Sequence, residues 1–303
     1  MSNLPTAALL QFHVTDNKEA NLLKATSFIE KAVTETTKNV KMVVLPEVWN
    51  SPYATNAFPS YAEPLPSLST PTSFPNSPSS HLLSTLAAKH NVYIVGGSVP
   101  ERDGEAIYNT CMVFNPDGHL VAKHRKVHLF DIDVPNGIKF KESDTLTKGN
   151  SLLNTFTTPD FGVVGLGVCY DLRFPELALL LRKKHDVSVI CVPGAFNMTT
   201  GPAHWELLQR ARAVDAQCYV LTASPARATR EMLEASEREG KYKGYEAWGH
   251  SSGVSPWGEV VATTEEKEDV VYVEVDLGKV KAMKEGIPTS EQKREDLYVV
   301  EEK

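Results

Sequence analysis

The chain has 303 residues, 42% hydrophobic and 23% charged, a balance that fits a soluble globular fold with a large core. A net charge of −7 argues against a nucleic-acid partner, which would favour a basic face. No run approaches the roughly 18 consecutive apolar residues of a membrane span, so a small molecule is the expected ligand.

The N-terminus, Met1-Ser2-Asn3-Leu4-Pro5, lacks a basic stretch followed by an apolar one, so no secretory signal is expected and the predicted location is cytoplasmic. Residues 16–37 predict a helix, with Asp16 as cap, Glu19 completing a capping-box-like start, and Leu22, Ala25, Ile29, Ala32 and Val33 on one face. A buried strand at 40–45 ends in Pro46-Glu47. Six prolines and many serines over 59–80 predict a long surface loop without regular structure. A helix near 81–90 leads into a strand at 92–95, and 107–114 with 119–126 flank the turn Asn115-Pro-Asp-Gly118 as a hairpin. Strand 163–168, helix 175–184 and strand 187–192 form a β–turn–α–β unit, with Pro175 near the helix start. Helix 202–216, with Leu207, Leu208, Ala211 and Val214 inward, and strand 218–223 repeat that rhythm. A charged stretch at 228–244 precedes a hairpin around Trp257-Gly258, a strand at 270–275 and a short helix from Asp276. Alternating strands and helices predict an α/β layered fold, and the hairpins make its sheets mixed. Neither an internal repeat nor a linker divides the chain, so residues 1–303 are expected to form one domain.

The four cysteines, Cys111, Cys169, Cys191 and Cys218, are far apart and show no paired spacing for zinc or a redox dithiol. Without a secretion signal they are expected to be reduced. Cys111, Cys191 and Cys218 sit inside apolar runs and read as small core residues. Cys169 ends the run Gly-Val-Val-Gly-Leu-Gly-Val. Glu47 and Lys126 also stand at strand ends. Taken singly, Glu47 reads as a solvated carboxylate, Lys126 as part of the basic run Lys123-His124-Arg125, and Cys169 as core. Together they form a set sufficient for acyl transfer from an amide. A thiol at a strand-to-helix turn lies near N–H donors that, with a cation, would lower its pKa and could hold an oxyanion; alternatively a carboxylate takes its proton as general base. His124, Lys126 and His128 alternate along a strand and could share a face, but two histidines do not make a metal site. No metal and no cofactor are expected. His204 and Trp205 are expected to pack the start of their helix, and His250 to make a structural hydrogen bond.

Three stretches carry a resemblance: Leu45-Pro-Glu47, His124-Arg-Lys126-Val-His-Leu-Phe-Asp131, and Gly165-Leu-Gly-Val-Cys169-Tyr-Asp-Leu-Arg-Phe-Pro-Glu176. In this order the chain resembles the nitrilase superfamily of carbon–nitrogen hydrolases from about residue 6 to about 299. The resemblance implies an αββα four-layer sandwich with two mixed β-sheets, a homodimer formed through a sheet-extending face, and a catalytic set of Glu47, Lys126 and Cys169. Glu142 matches a further acidic position that the family places beside the catalytic lysine. Asn50-Ser-Pro-Tyr53, Phe130-Asp-Ile-Asp-Val-Pro135, the run from Pro193 to Asp215, Ala247-Trp-Gly-His250 and Gln292-Lys-Arg-Glu-Asp-Leu-Tyr298 are similar to the ω-amidase branch. The segments 59–80 and 228–244 look longer than in typical members.

That branch implies hydrolysis of the terminal amide of small α-keto dicarboxylic monoamides, α-ketoglutaramate and α-ketosuccinamate, through a thioester on Cys169. Lys126 and the Tyr170 N–H would hold the oxyanion. Arg173 is the candidate reader of a substrate carboxylate, or else it pairs locally with Asp171 or Glu176. Tyr53, Phe196 and Thr200 are further pocket candidates, with core packing the rival for Phe196. Competing functions are amidase action on deaminated glutathione, weaker matches to nitrile or carbamoyl-amine hydrolysis, and a non-enzymatic thiol sensor.

Overall fold

A computed structural model describes residues 4–68, 74, 76–135, 139–239, 242 and 244–303. The first part of the chain builds one sheet. Strands β1 (Thr6–Gln11), β2 (Val40–Val44) and β3 (Tyr93–Val95) run parallel, connected by helices α1 (Lys18–Thr34), α2 (Phe58–Tyr61) and α3 (Pro78–His90). Strands β4 (Val99–Asp103), β5 (Ala106–Phe114) and β6 (Leu120–Arg125) join it antiparallel, both β4 and β6 pairing with β5. A two-stranded ribbon follows, β7 (Asp131–Asp133) with β8 (Lys139–Lys141).

The second sheet starts with β9 (Thr155–Thr158), antiparallel to β10 (Gly162–Leu166). Parallel strands β11 (Val189–Cys191) and β12 (Tyr219–Thr222) follow across α4 (Pro175–His185) and α5 (Gly201–Ala216). After α6 (Arg230–Glu239), strands β13 (Ser252–Val254) and β14 (Val260–Thr263) complete this sheet antiparallel. Strand β15 (Asp269–Glu274) then crosses back to pair with β1, and α7 (Leu277–Gly286) follows it. Both sheets are mixed, and the fold is α/β.

Side-chain alternation along each strand sets the layers. On β1, Ala7 and Leu9 face the second sheet, packing in one core with Val164, Leu166, Val189 and Leu221. Ala8 and Leu10 face the other way, onto Ala25, Ile29, Leu83 and Ala87 of α1 and α3. The second sheet's outer side is covered by Leu177 and Leu181 of α4 and Ala213 and Ala216 of α5. The result is four layers, helix–sheet–sheet–helix. The free cysteines Cys111, Cys191 and Cys218 are buried in the core. Among the described residues no helix is long and apolar enough to cross a membrane.

Three expectations need correction. The side chain that caps α1 is Asn17, which accepts from the Ala20 N–H at 2.9 Å; the helix starts two residues later than Asp16. On α5 the buried face is Trp205, Gln209, Arg212, Ala213 and Ala216, while Leu207 and Val214 are exposed. Polar burial there is compensated: Gln209 accepts from Thr222 and Ser252 at 2.8 and 2.7 Å, and Arg212 donates to the Leu172 carbonyl at 2.9 Å. An apolar-periodicity search misses such a face. The segment 59–80 is not simply a surface loop, because it includes the end of α2 and the start of α3. Glu63 is buried and accepts from Asn50, Ser77, Ser79 and Lys18, which pins this stretch to the core. Residues 69–73 and 75 lie outside the described ones, as do 240, 241 and 243 of the charged stretch.

Candidate active site

Parallel strands of open α/β sheets present polar side chains beyond their carboxyl ends. Glu47 lies just past β2, Cys169 just past β10, Lys126 directly after β6, and Glu142 opens a 3-10 turn after β8. These four segments meet. Lys126 Nζ donates to Glu47 Oε1 at 3.0 Å and to Glu142 Oε1 at 2.9 Å, and all three residues are fully buried. The Cys169 side chain lies close enough to Glu47 for the two to shift each other's ionisation.

Each carboxylate accepts hydrogen bonds at both oxygens, as buried charge requires. Glu47 also accepts from Asn109 Nδ2 at 2.9 Å and from the Ala195 N–H at 2.8 Å. Glu142 accepts from the Phe130 N–H and the Tyr53 hydroxyl, both at 2.7 Å. The Tyr53 oxygen also lies 3.3 Å from Glu47 Oε1.

The backbone is strained where the reactive groups sit. Cys169 has φ 48° and Val48, directly after Glu47, has φ 50°. Side chains with a Cβ rarely adopt that region, a β-branched valine least of all. The Cys169 N–H donates to the Pro193 carbonyl at 2.7 Å and the Val48 N–H to Ser98 Oγ at 3.1 Å, which holds both turns.

Electrostatics favour a protonated thiol at rest. Burial pushes the Cys169 pKa well above its ordinary value, and the neighbouring Glu47 charge adds to this, outweighing the opposing pull of Lys126. That direction favours the alternative in which a carboxylate takes the thiol proton over a thiolate stabilised by local N–H donors. Burial also raises Glu47, Lys126 opposes that, and the Glu142 charge reinforces it. Burial alone would lower Lys126, but Glu142 and Glu47 outweigh it and hold the ammonium charged.

His124 and His128 both engage Asp171. Asp171, buried two residues after Cys169, meets His124 Nε2 at 3.0 Å and His128 Nδ1 at 2.7 Å and accepts from the Val168 N–H at 2.9 Å. Burial would raise its pKa, but these hydrogen bonds hold the carboxyl well below the usual range. Among the described residues no group of three or more His, Cys, Asp or Glu could hold a metal ion.

Cys169 faces a small cavity of about 10 Å³ whose walls include Phe130, Tyr170, Arg173, Phe196 and Thr200. Phe196 both packs against Trp205, at 4.8 Å between ring centroids, and lines this cavity. The Arg173 guanidinium lies 4.7 Å from the Phe196 ring centroid and donates to His204 Nδ1 at 3.2 Å. Asp171 is engaged by the two histidines, and neither it nor Glu176 forms an ion pair with Arg173. His204 is exposed and holds Arg173 instead of packing its helix, whereas His250 bonds the Trp248 carbonyl at 2.8 Å as expected.

Beyond Glu47 lies a larger cavity of about 220 Å³, walled by Glu47, Val48, Tyr53, Ala195 and Tyr245 on one side and by Met232, Leu233 and Ala235 of α6 on the other. Ala195 belongs to both cavities. Tyr245 stacks on Tyr53, 4.5 Å between centroids, and its hydroxyl donates to the Ala195 carbonyl.

Several contributors escaped the sequence reading. Asn109 was visible only as a polar residue inside the apolar run of β5. Ala195 acts through its N–H, which no side-chain pattern reveals, and Tyr245 lies in a stretch without periodicity.

The sequence matches the carbon-nitrogen hydrolase family model over residues 6–285. The chain belongs to that family and is a hydrolase of carbon–nitrogen bonds. Among its relatives, Omega-amidase NIT2 of Homo sapiens is 49% identical over 296 residues, covering 98% of this chain and 97% of that protein. Omega-amidase NIT2-A of Xenopus laevis is 50% identical with the same coverage. The crystal structure of Saccharomyces cerevisiae Nit3, a member of branch 10 of the nitrilase superfamily, is similar with a TM-score of 0.81 and 41% identity, covering 97% of this chain and 99% of that one.

Proposed function

We propose that the protein is an ω-amidase, releasing ammonia from the terminal amide of small α-keto dicarboxylic monoamides such as α-ketoglutaramate and α-ketosuccinamate. The observation that carries this is a cysteine, joined to a carboxylate–lysine cluster, that shares a small cavity with Arg173, which forms no ion pair with a carboxylate among the described residues. The near full-length likeness to omega-amidases supports it.

In this mechanism Glu47 takes the thiol proton as Cys169 Sγ attacks the amide carbon. Lys126 and the Tyr170 N–H, at the start of a 3-10 turn where such groups lack an intrahelical acceptor, hold the developing oxyanion. Glu47 then passes its proton to the amide nitrogen, the C–N bond breaks, and ammonia leaves a thioester. Water, deprotonated by Glu47, hydrolyses the thioester and restores the thiol. Glu142 keeps Lys126 charged and in place. Arg173 pairs with the substrate's distal carboxylate, with Thr200 and Phe196 shaping the pocket and Tyr53 orienting Glu142 and Glu47.

The chain acts as one domain, since β15 returns the last strand to the first sheet. It works in the cytoplasm, where free cysteines stay reduced. Exposed Leu207, Val214 and Trp257 fit burial in a homodimer.

The test is ammonia release from α-ketoglutaramate, α-ketosuccinamate and deaminated glutathione, with Arg173→Lys beside the wild type. The two keto-acid amides are expected to be preferred, with KM for them rising tenfold or more in the variant because the bidentate fork is lost. Preference for deaminated glutathione would assign the sister activity, and no ammonia from any of the three would favour the thiol-sensor alternative.

A further inference from the structure

The larger cavity is walled by Glu47 and not by Arg173. In the mechanism proposed above the acyl part of the substrate reaches from Cys169 to Arg173, both of which wall the smaller cavity. The amide nitrogen must then approach Glu47, the group that protonates it. Whatever is bonded to that nitrogen would project past Glu47, toward Val48, Tyr53 and Tyr245, and these residues wall the larger cavity.

That cavity is unlike the first. Among the described residues neither lysine, arginine nor histidine lines it. Its walls are Tyr53, Tyr242, Tyr245, Met232, Leu233 and small or apolar residues, with carboxylates from Asp16 and Glu47. Its carboxylates disfavour an anion and the described residues offer no cation to pair with one, so it is a poor seat for the dicarboxylate. At about 220 Å³ it is also far larger than ammonia needs. Its outer wall comes from α6, in the stretch that looks longer here than in typical members.

We infer that this cavity is a leaving-amine subsite, which lets the enzyme cleave secondary ω-amides carrying an apolar N-alkyl group as well as primary ones. The inference rests on the ω-amidase assignment and names a further substrate class for it. The chemistry is unchanged: Sγ bonds to the acyl carbon, the C–N bond breaks, and Glu47 gives its proton to the nitrogen. The product is a primary alkylamine instead of ammonia, and water then hydrolyses the same thioester. Tyr53 and Tyr245 would flank the alkyl chain, and Met232 and Leu233 would close over its end. Each methylene buried there should raise kcat/KM about fourfold along an N-alkyl series, until the cavity is full.

The experiment measures kcat/KM for α-ketoglutaramate and for its N-methyl and N-butyl derivatives, in the wild type and in Met232→Trp, Leu233→Trp and Leu233→Ala. The expected result is cleavage of the N-butyl amide by the wild type, better than the N-methyl one. Either tryptophan should cut N-butyl turnover tenfold or more while primary-amide turnover stays within twofold. Leu233→Ala should lose part of the N-butyl advantage through lost contact. Primary-amide activity reports on folding in every variant. Cleavage of the primary amide with no detectable alkylamine release would overturn the subsite and leave the ω-amidase assignment standing. Equal losses on all three amides in both tryptophan variants would also overturn it. Failure on the primary amide itself would sink the ω-amidase assignment, and the subsite with it.

Discussion

At the scale of single residues the site is an exercise in placing charge where water cannot reach. Two carboxylates share one ammonium, so the buried trio already carries an excess of negative charge. A thiolate would add another, so in the proposed mechanism Cys169 keeps its proton until a substrate carbonyl is there to accept the sulfur. Glu47 must be ionised to take that proton. Its raised pKa therefore places the acid limb of kcat/KM above the ordinary carboxylate range, with activity falling as pH drops through it. Glu142→Gln removes one of the charges that raise Glu47, so the limb should move to lower pH while kcat falls tenfold or more as Lys126 loses a partner. A pH–rate profile of variant and wild type checks this, and an unmoved limb would assign it to some other group. Glu47, Lys126 and Cys169 each stand at a strand end, but singly they read as solvated or core residues, and only their combination and the family resemblance marked them as a candidate set. Glu142 was legible only through family resemblance, since nothing in Phe140-Lys-Glu142-Ser distinguishes it from a surface acid.

At the scale of elements, the 3-10 turn carrying Cys169 and the strand end carrying Lys126 come from different sheets, and Asp171 braces one against the other. Its two oxygens serve His124, His128 and the Val168 N–H. Breaking such a buried pair typically costs about 3 kcal/mol, and Asp171→Asn is expected to lose about that much stability together with most of the activity. The folded-state pKa of Asp171 lies below its unfolded value, so the stabilisation is fully present above the unfolded pKa of about 3.9 and fades as pH falls toward the folded one. Denaturant unfolding at pH 6 and at pH 3 should accordingly show the gap between the proteins narrowing in acid. A constant gap would mean that the charge of Asp171 does not matter. From the sequence, Asp171 was one of two local acids, with Glu176, that could pair with Arg173 if Arg173 did not read a substrate carboxylate. The long-range histidines won because β6 brings them opposite the turn. The same limit explains α5, whose buried face holds Gln209 and Arg212: periodicity finds apolar stripes, whereas polar burial depends on partners from other elements.

At the scale of the whole molecule, strand alternation and turn chemistry made the layered α/β fold readable, because each two-faced strand requires cover on both sides. What remained hidden were the cavities, which arise from how distant loops close. The outward face of α5 and the β13–β14 hairpin exposes Leu207 at 63%, Val214 at 47% and Trp257 at 50%, and a homodimer would bury them. Leu207→Glu with Trp257→Glu should halve the mass seen by light scattering, whereas an unchanged mass would place the interface elsewhere. The proposed reaction passes through a covalent intermediate on Cys169. Intact-protein mass spectrometry of the enzyme quenched during turnover of α-ketoglutaramate measures it directly. The expected result is an increment equal to the substrate minus ammonia, mapped to Cys169 and absent, along with turnover, from Cys169→Ala. Substantial turnover by that variant, or an adduct on another residue, would contradict it.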